Sequence, residues 1–165
     1  MPEIVYDIVL FLHSIVRYVI VLAALGAVVL AFRGWFTRRA FTALDERLGM
    51  IFTSSMHLQL VIGLLLYAVF SPLTQAAFMN MGAAMTSAPL RFYAVEHIAM
   101  MILAVIVATV GRVLSRRAKD DAAKHRMAAI FYTIAIILVF VSIPWPWAAE
   151  GAARPLNPFH MFTGD

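Results

Sequence analysis

Four long apolar stretches, separated by polar or proline-broken connections, set the frame of this chain. The first runs from Ile8 to Phe32 between Asp7 and Arg33, and the second from Met50 to Phe70, closed by Ser71-Pro72. The third runs from Phe92 to Gly111, and the fourth from Met127 to Ile143, where Pro144-Trp145-Pro146-Trp147 ends it. About 20 apolar residues at roughly 1.5 Å rise each cross the hydrocarbon core of a bilayer. The pattern therefore predicts an all-α integral membrane protein, an up-down-up-down four-helix bundle built from residues 8–32, 50–70, 92–111 and 127–143. Residues 1–147 form one domain, and 148–165 a tail rich in Pro, Gly and Ala. Residues 71–90 carry no charge and contain Pro72, Asn80, Gly82 and Pro89, so they read as a loop that can lie on the membrane surface.

Composition agrees with the pattern. The chain is 63% hydrophobic and 13% charged, with a mean hydropathy of +0.88, whereas soluble domains are near half apolar and about a quarter charged. The formal charge of +4 is not a nucleic-acid signature, because it follows from where the basic residues sit. Ten of the thirteen Lys and Arg residues fall in two links, Arg33–Arg47 and Arg112–Arg126. Basic loops stay cytoplasmic, which puts both links inside and both termini outside, with Trp145 and Trp147 at the outer interface. The N-terminus is acidic and reads as a retained first span, not a signal peptide. With no cysteine, disulfides, thiolate metal sites and iron–sulfur clusters are excluded.

The chemistry lies in the ionisable residues within the apolar runs, which are expensive there and mark function. His13 and His97 each sit five residues past the start of a descending run, roughly 7 to 8 Å below the outer edge. Two imidazoles at one level on different helices can close on a single planar cofactor, and His is a usual axial ligand of haem iron. Below them run two stripes of small residues, Ala24, Ala27 and Ala31 on one helix and Ala104, Ala108 and Gly111 on the other. Such stripes leave room for a ring or let bare helices approach closely. Arg17, one turn below His13, is expected to pair with Glu96 or with a ligand carboxylate such as a haem propionate. Arg91 is a second propionate candidate or an interfacial anchor. His57 has no His at its depth; a quinone pocket, a proton path, a second cofactor and a bond across helices all stay open for it. His125, in AAKHR, reads as a charged interfacial residue, and Met79, Met81 and Met85 as soft ligands for Cu(I) or as gap fillers.

With HSIVRY, SSMHLQLVIGLLLY, MGAAM, LRFYAVEHIAMM, GRVLSRRA, AKHR and SIPWPW in view, the chain resembles a family of small bacterial four-span membrane proteins labelled cytochrome B-like or uncharacterised. The resemblance covers about Leu12 to Trp147. It implies a bundle in the bacterial inner membrane and a b-type haem. The chain is also loosely similar to other small haem-binding bundles, among them protoporphyrinogen-oxidising proteins, whose pattern has a Lys where this chain has His97. The expectation is a membrane electron-transfer protein with haem b held by His13 and His97, exchanging electrons with quinone or a redox membrane partner. His57 and Glu96 would stand at a quinone or proton site, and a second copy of the chain is a further candidate partner. The rival is a non-redox transporter or accessory subunit with an Arg/Glu/His proton or ion relay.

Overall fold

In a computed structural model, which describes residues 3–147, four long helices carry the chain. Helix α1 spans Glu3–Thr37 and α2 spans Ala43–Leu65, the latter continued by a π-turn over Leu66–Phe70. Three short helices follow, α3 (Pro72–Met79), α4 (Met81–Thr86) and α5 (Ala88–Arg91). A second π-turn, Phe92–Glu96, leads into α6 (His97–Arg117), and α7 covers Asp121–Ser142. Among the described residues there is no strand, and all four long helices are apolar and long enough to cross a membrane. The protein is an all-α membrane bundle.

The long helices overrun the apolar stretches, because backbone hydrogen bonds need no apolar side chains at the ends. Helix α1 continues through Trp35 and Phe36, stacked at 5.5 Å between centroids, and stops before Arg38, whose φ of 52° leaves the helical region. Helix α2 starts seven residues before Met50 because Thr42 and Asp45 form a capping box there, which satisfies otherwise orphaned N–H groups. Asp45 also binds Arg39, at 2.7 Å from its Oδ2 to the Arg39 Nη1. Asp120 caps α7 by accepting from the Ala123 N–H at 2.8 Å.

The uncharged segment 71–90 is helical, not a loop, and its prolines explain why. Pro72 and Pro89 fall in the first turns of α3 and α5, where a missing N–H costs nothing. Ser71 and Asn80 accept from Thr74 N and Ala83 N as N-caps. These helices close over a small core of Ala77, Ala84 and Ala94, against which Met85 packs.

Around the bundle, α1 lies between α2 and α7, and α6 likewise touches α2 and α7, so α1 and α6 face each other along a diagonal. The α6–α7 seam is the most extensive and α2–α6 the thinnest. At the end bearing the basic links, small residues set the packing. Ala24, Ala27, Ala31, Ala104 and Ala108 are all buried. A Cβ on Gly111 would collide with Phe131, and one on Gly34 with the His125 ring. His125 is completely buried, at 0% exposure, and its ring lies 5.0 Å from Phe41. This corrects the interfacial reading of AAKHR. The residue sits on the inward stripe of α7 with Ala128, Ala129 and Tyr132, and helical phase outweighs its charged neighbours. The opposite diagonal, α2 to α7, closes through Phe52 and Tyr132, 5.4 Å apart edge to face.

Candidate functional site

Where α1 and α6 face each other near the loop end, His13 and His97 meet. Their ring centroids are 6.3 Å apart with planes inclined at 62°. Each residue heads the inward stripe of its helix, followed by Ile20, Ala24 and Ala27 on α1 and by Ala104, Val105 and Ala108 on α6. The 3.6-residue period thus brings both imidazoles to the bundle axis.

The two rings are held differently. His97 Nδ1 lies 2.8 Å from the carbonyl oxygen of Ser142. In a continuous helix that carbonyl would accept from residue 146, which is Pro146 and has no N–H. The Pro-Trp-Pro-Trp sequence therefore leaves a backbone acceptor at the end of α7, and His97 donates to it. The donation assigns the proton to Nδ1 and keeps the Nε2 lone pair available. His13 Nδ1, by contrast, is buried with no hydrogen-bond partner among the described residues. Its ring rests against Gly63, where a Cβ would come 3.3 Å from Cε1. Gln59 donates to the His13 carbonyl at 2.9 Å, and its own Oε1 is buried without a partner among the described residues.

A cavity of about 130 Å³ adjoins the pair. Its wall includes His13, His97, Arg17, Gln59, Gly63 and Met101, from α1, α2 and α6. None of the alanines in the two small-residue stripes lines it. Those stripes are used for helix contact, so the room comes from Gly63 and from the π-turns, whose residues Leu66, Tyr67 and Tyr93 stand in the wall. A π-turn leaves helix carbonyls without their usual partners, and Tyr67 donates to the Ala94 carbonyl at 2.8 Å to satisfy one of them. Such turns are frequent at functional sites.

Arg17 lines the cavity, with its guanidinium 5.1 Å from the Tyr18 ring centroid and 3.4 Å from the Tyr18 hydroxyl. No ion pair involves it among the described residues. The expected protein partner, Glu96, binds Arg91 instead, at 2.7 Å. Five residues apart, these two side chains would stand well out of phase on an α-helix. The π-turn over Phe92–Glu96 brings them onto one side, where Arg91 also donates to the Met85 carbonyl at 3.1 Å. Arg91, Glu96 and His57 are absent from the cavity wall. His57 is on the outer surface of the bundle, 3.1 Å from the Thr109 hydroxyl across the α2–α6 seam. Of the methionines singled out in the sequence, Met79 is 88% exposed and Met85, on α4, packs against Ala77, Ala84 and Ala94. His160 and Arg154 lie outside the described residues.

Sequence reasoning missed Ser142, Gln59 and Gly63. The signal for Ser142 was present: an acceptor four residues before a proline, at a helix end. Among the described residues no three His, Cys, Asp or Glu side chains gather as a metal cluster, so a metal here would rest on two imidazoles and on donors from its own cofactor. No protein-family model, curated protein or solved structure matches the chain.

Proposed function

We propose that the protein is a membrane electron carrier of the cytochrome b kind, with His13 and His97 as axial ligands of a haem b. The observation that carries this reading is the meeting of the two imidazoles across the bundle axis at 6.3 Å. Two imidazoles on opposite sides of one metal need a centroid separation on the order of 6 Å, from a bond of about 2 Å on each side plus the ring radii. The Ser142 carbonyl on His97 Nδ1 is the outer hydrogen bond that ligating histidines carry; it fixes the tautomer and raises the basicity of the other nitrogen. Met56 and Met101 in the wall are flexible and can repack around a flat guest. Arg17, in the wall and free of carboxylates among the described residues, would take a propionate, whereas Arg91 is already engaged by Glu96.

Haem b would supply a one-electron iron couple in this position. The protein's share would be to hold the iron between two imidazoles, which favours electron transfer over oxygen binding, and to surround the macrocycle with a largely apolar wall. Electrons would be exchanged with quinone or with a redox protein in the same membrane. The proton-relay rival has less support, since Glu96 is turned away from Arg17 and His57 stands apart from the other histidines.

Protein purified after expression with ample haem should be red, with a Soret band and a pyridine haemochrome of b type. His13→Ala and His97→Ala should each abolish the low-spin spectrum, while a conservative change at Arg91 should leave it. A colourless wild-type protein would overturn the assignment. We further propose a bacterial inner membrane with both termini outside, because ten of the thirteen basic residues sit in the two links and basic loops favour the cytoplasmic side. Reporter fusions after Arg39, Asn80 and Lys119 should then read inside, outside and inside; the reverse order would invert the bundle.

A further inference from the structure

The thin α2–α6 seam carries a polar pair that the cavity does not use. His57 is exposed on the surface of α2, and its Nε2 lies 3.1 Å from Thr109 Oγ1 on α6. Around it the surface is apolar: Leu58, Val61, Ile106 and Val110 are all exposed. In a membrane this face meets hydrocarbon, where a polar atom without a partner is costly.

The protons can be assigned by counting bonds. Thr109 donates its hydroxyl hydrogen to the Val105 carbonyl at 2.7 Å. The hydroxyl therefore accepts from His57, and Nε2 carries the proton. The chain His57 N–H to Thr109 O–H to Val105 O=C makes two hydrogen bonds. The other tautomer makes one and strands an N–H in lipid. The favoured arrangement leaves Nδ1 of His57 as a bare acceptor at the bilayer face, with no partner among the described residues. Ser54, one turn away, is exposed on the same side of α2.

We propose that the α2–α6 seam at His57 and Thr109 is a lipid-facing binding site for the headgroup of a quinol, whose hydroxyl donates to His57 Nδ1. The occupant must be membrane-soluble and a hydrogen-bond donor. The choice of a quinol among such donors rests on the electron-carrier reading above. Thr109 is a positioning residue here: it fixes the tautomer that makes Nδ1 an acceptor, and it does not touch the quinol.

The test uses full-length protein with ring-nitrogen-labelled histidine in phosphatidylcholine nanodiscs, titrated with a decyl-tailed benzoquinol under anaerobic conditions. Quinol should shift the unprotonated Nδ1 resonance of His57. The corresponding quinol dimethyl ether, which has the same shape and no donor, should bind about tenfold more weakly or worse. Thr109→Val should weaken quinol binding and move the proton toward Nδ1, while Thr109→Ser should retain both. Equal binding of quinol and ether would overturn the proposal, as would a protonated Nδ1 in the wild type. A shift that follows the protein-to-lipid ratio without quinol would also overturn it, by assigning the seam to a second copy of the chain. Because the readout needs no haem, quinol binding to colourless protein would leave this site standing while removing the axial-ligand assignment. Red protein that ignores quinol would do the opposite.

Discussion

At the basic end of the bundle, Arg39 faces Asp45, Arg112 and Arg116 face Glu46, and Lys124 faces Asp121. Near the loop end, Arg17 rests on a tyrosine ring, and His13 Nδ1 and Gln59 Oε1 have no hydrogen-bond partner among the described residues. Unpartnered atoms alone do not separate the two regions, since both nitrogens of His125 also lack partners among the described residues. Space separates them. The His125 ring is pressed between Gly34 and Phe41, whereas His13 and His97 border a cavity. A buried polar group in a closed slot has packing as its explanation; polar groups converging on a cavity from several helices suit a guest.

The strongest way to break that comparison is at His125. Replacing it with Ala should cost roughly 3 kcal/mol, because the slot cannot refill. His125→Leu should cost less than about 1 kcal/mol, since it keeps volume and leaves no nitrogen unbonded. Reversible unfolding in mixed detergent micelles measures both. If Leu is as damaging as Ala, the imidazole has a partner that packing does not explain, and the contrast between the two regions fails.

Asp45→Ala comes next, at about 2 kcal/mol. It removes the capping box of α2 and leaves Arg39, whose side chain is 26% exposed, without its carboxylate. The same unfolding assay should show the loss with the haem-type spectrum unchanged. A spectral change would mean that the basic end controls the cavity.

A third test sets two glycines against each other. Gly34→Ala pushes into a ring with no room to move, so overpacking of about 1–2 kcal/mol is expected. Gly63→Ala needs the His13 ring to give only a few tenths of an ångström from a 3.3 Å contact, and it should cost about 1 kcal/mol or less. If His13 holds a haem as proposed, the effect should appear in the spectrum. Equal stability losses with no spectral change at Gly63 would count against a tunable site.

The smallest effect is expected at Arg91 and Glu96, which are 43% and 48% exposed. A double-mutant cycle should give a coupling of about 0.5 kcal/mol, as for other exposed pairs. Arg17→Gln combined with Glu96→Gln should be additive in the same assay. Strong coupling between those two would restore the embedded ion pair that the sequence had suggested.

The sequence by itself determined the class, the number of spans and which side chains share a helix face. Apolar length against bilayer thickness is a one-dimensional constraint, and the 3.6-residue period fixes which side chains share a face without any knowledge of neighbours. That is why His13 and His97 could be matched in depth from counting alone. Other features were legible only in part. Pro72 and Pro89 looked like breakers because their meaning depends on whether a helix starts or continues at them. The small stripes could have lined a cavity or a helix contact, and nothing along one helix distinguishes the two.

Tertiary structure decided the rest, because it sets which faces meet. The diagonal placement of α1 and α6 brought the two imidazoles together. The π-turn before His97 changed the helical phase, which paired Glu96 with Arg91 and left Arg17 to the cavity. The stripe of α7 carried His125 inward despite its charged neighbours, and Pro146 freed a carbonyl that only the fold could aim at His97. Periodicity belongs to each helix, but partners and empty space belong to the bundle.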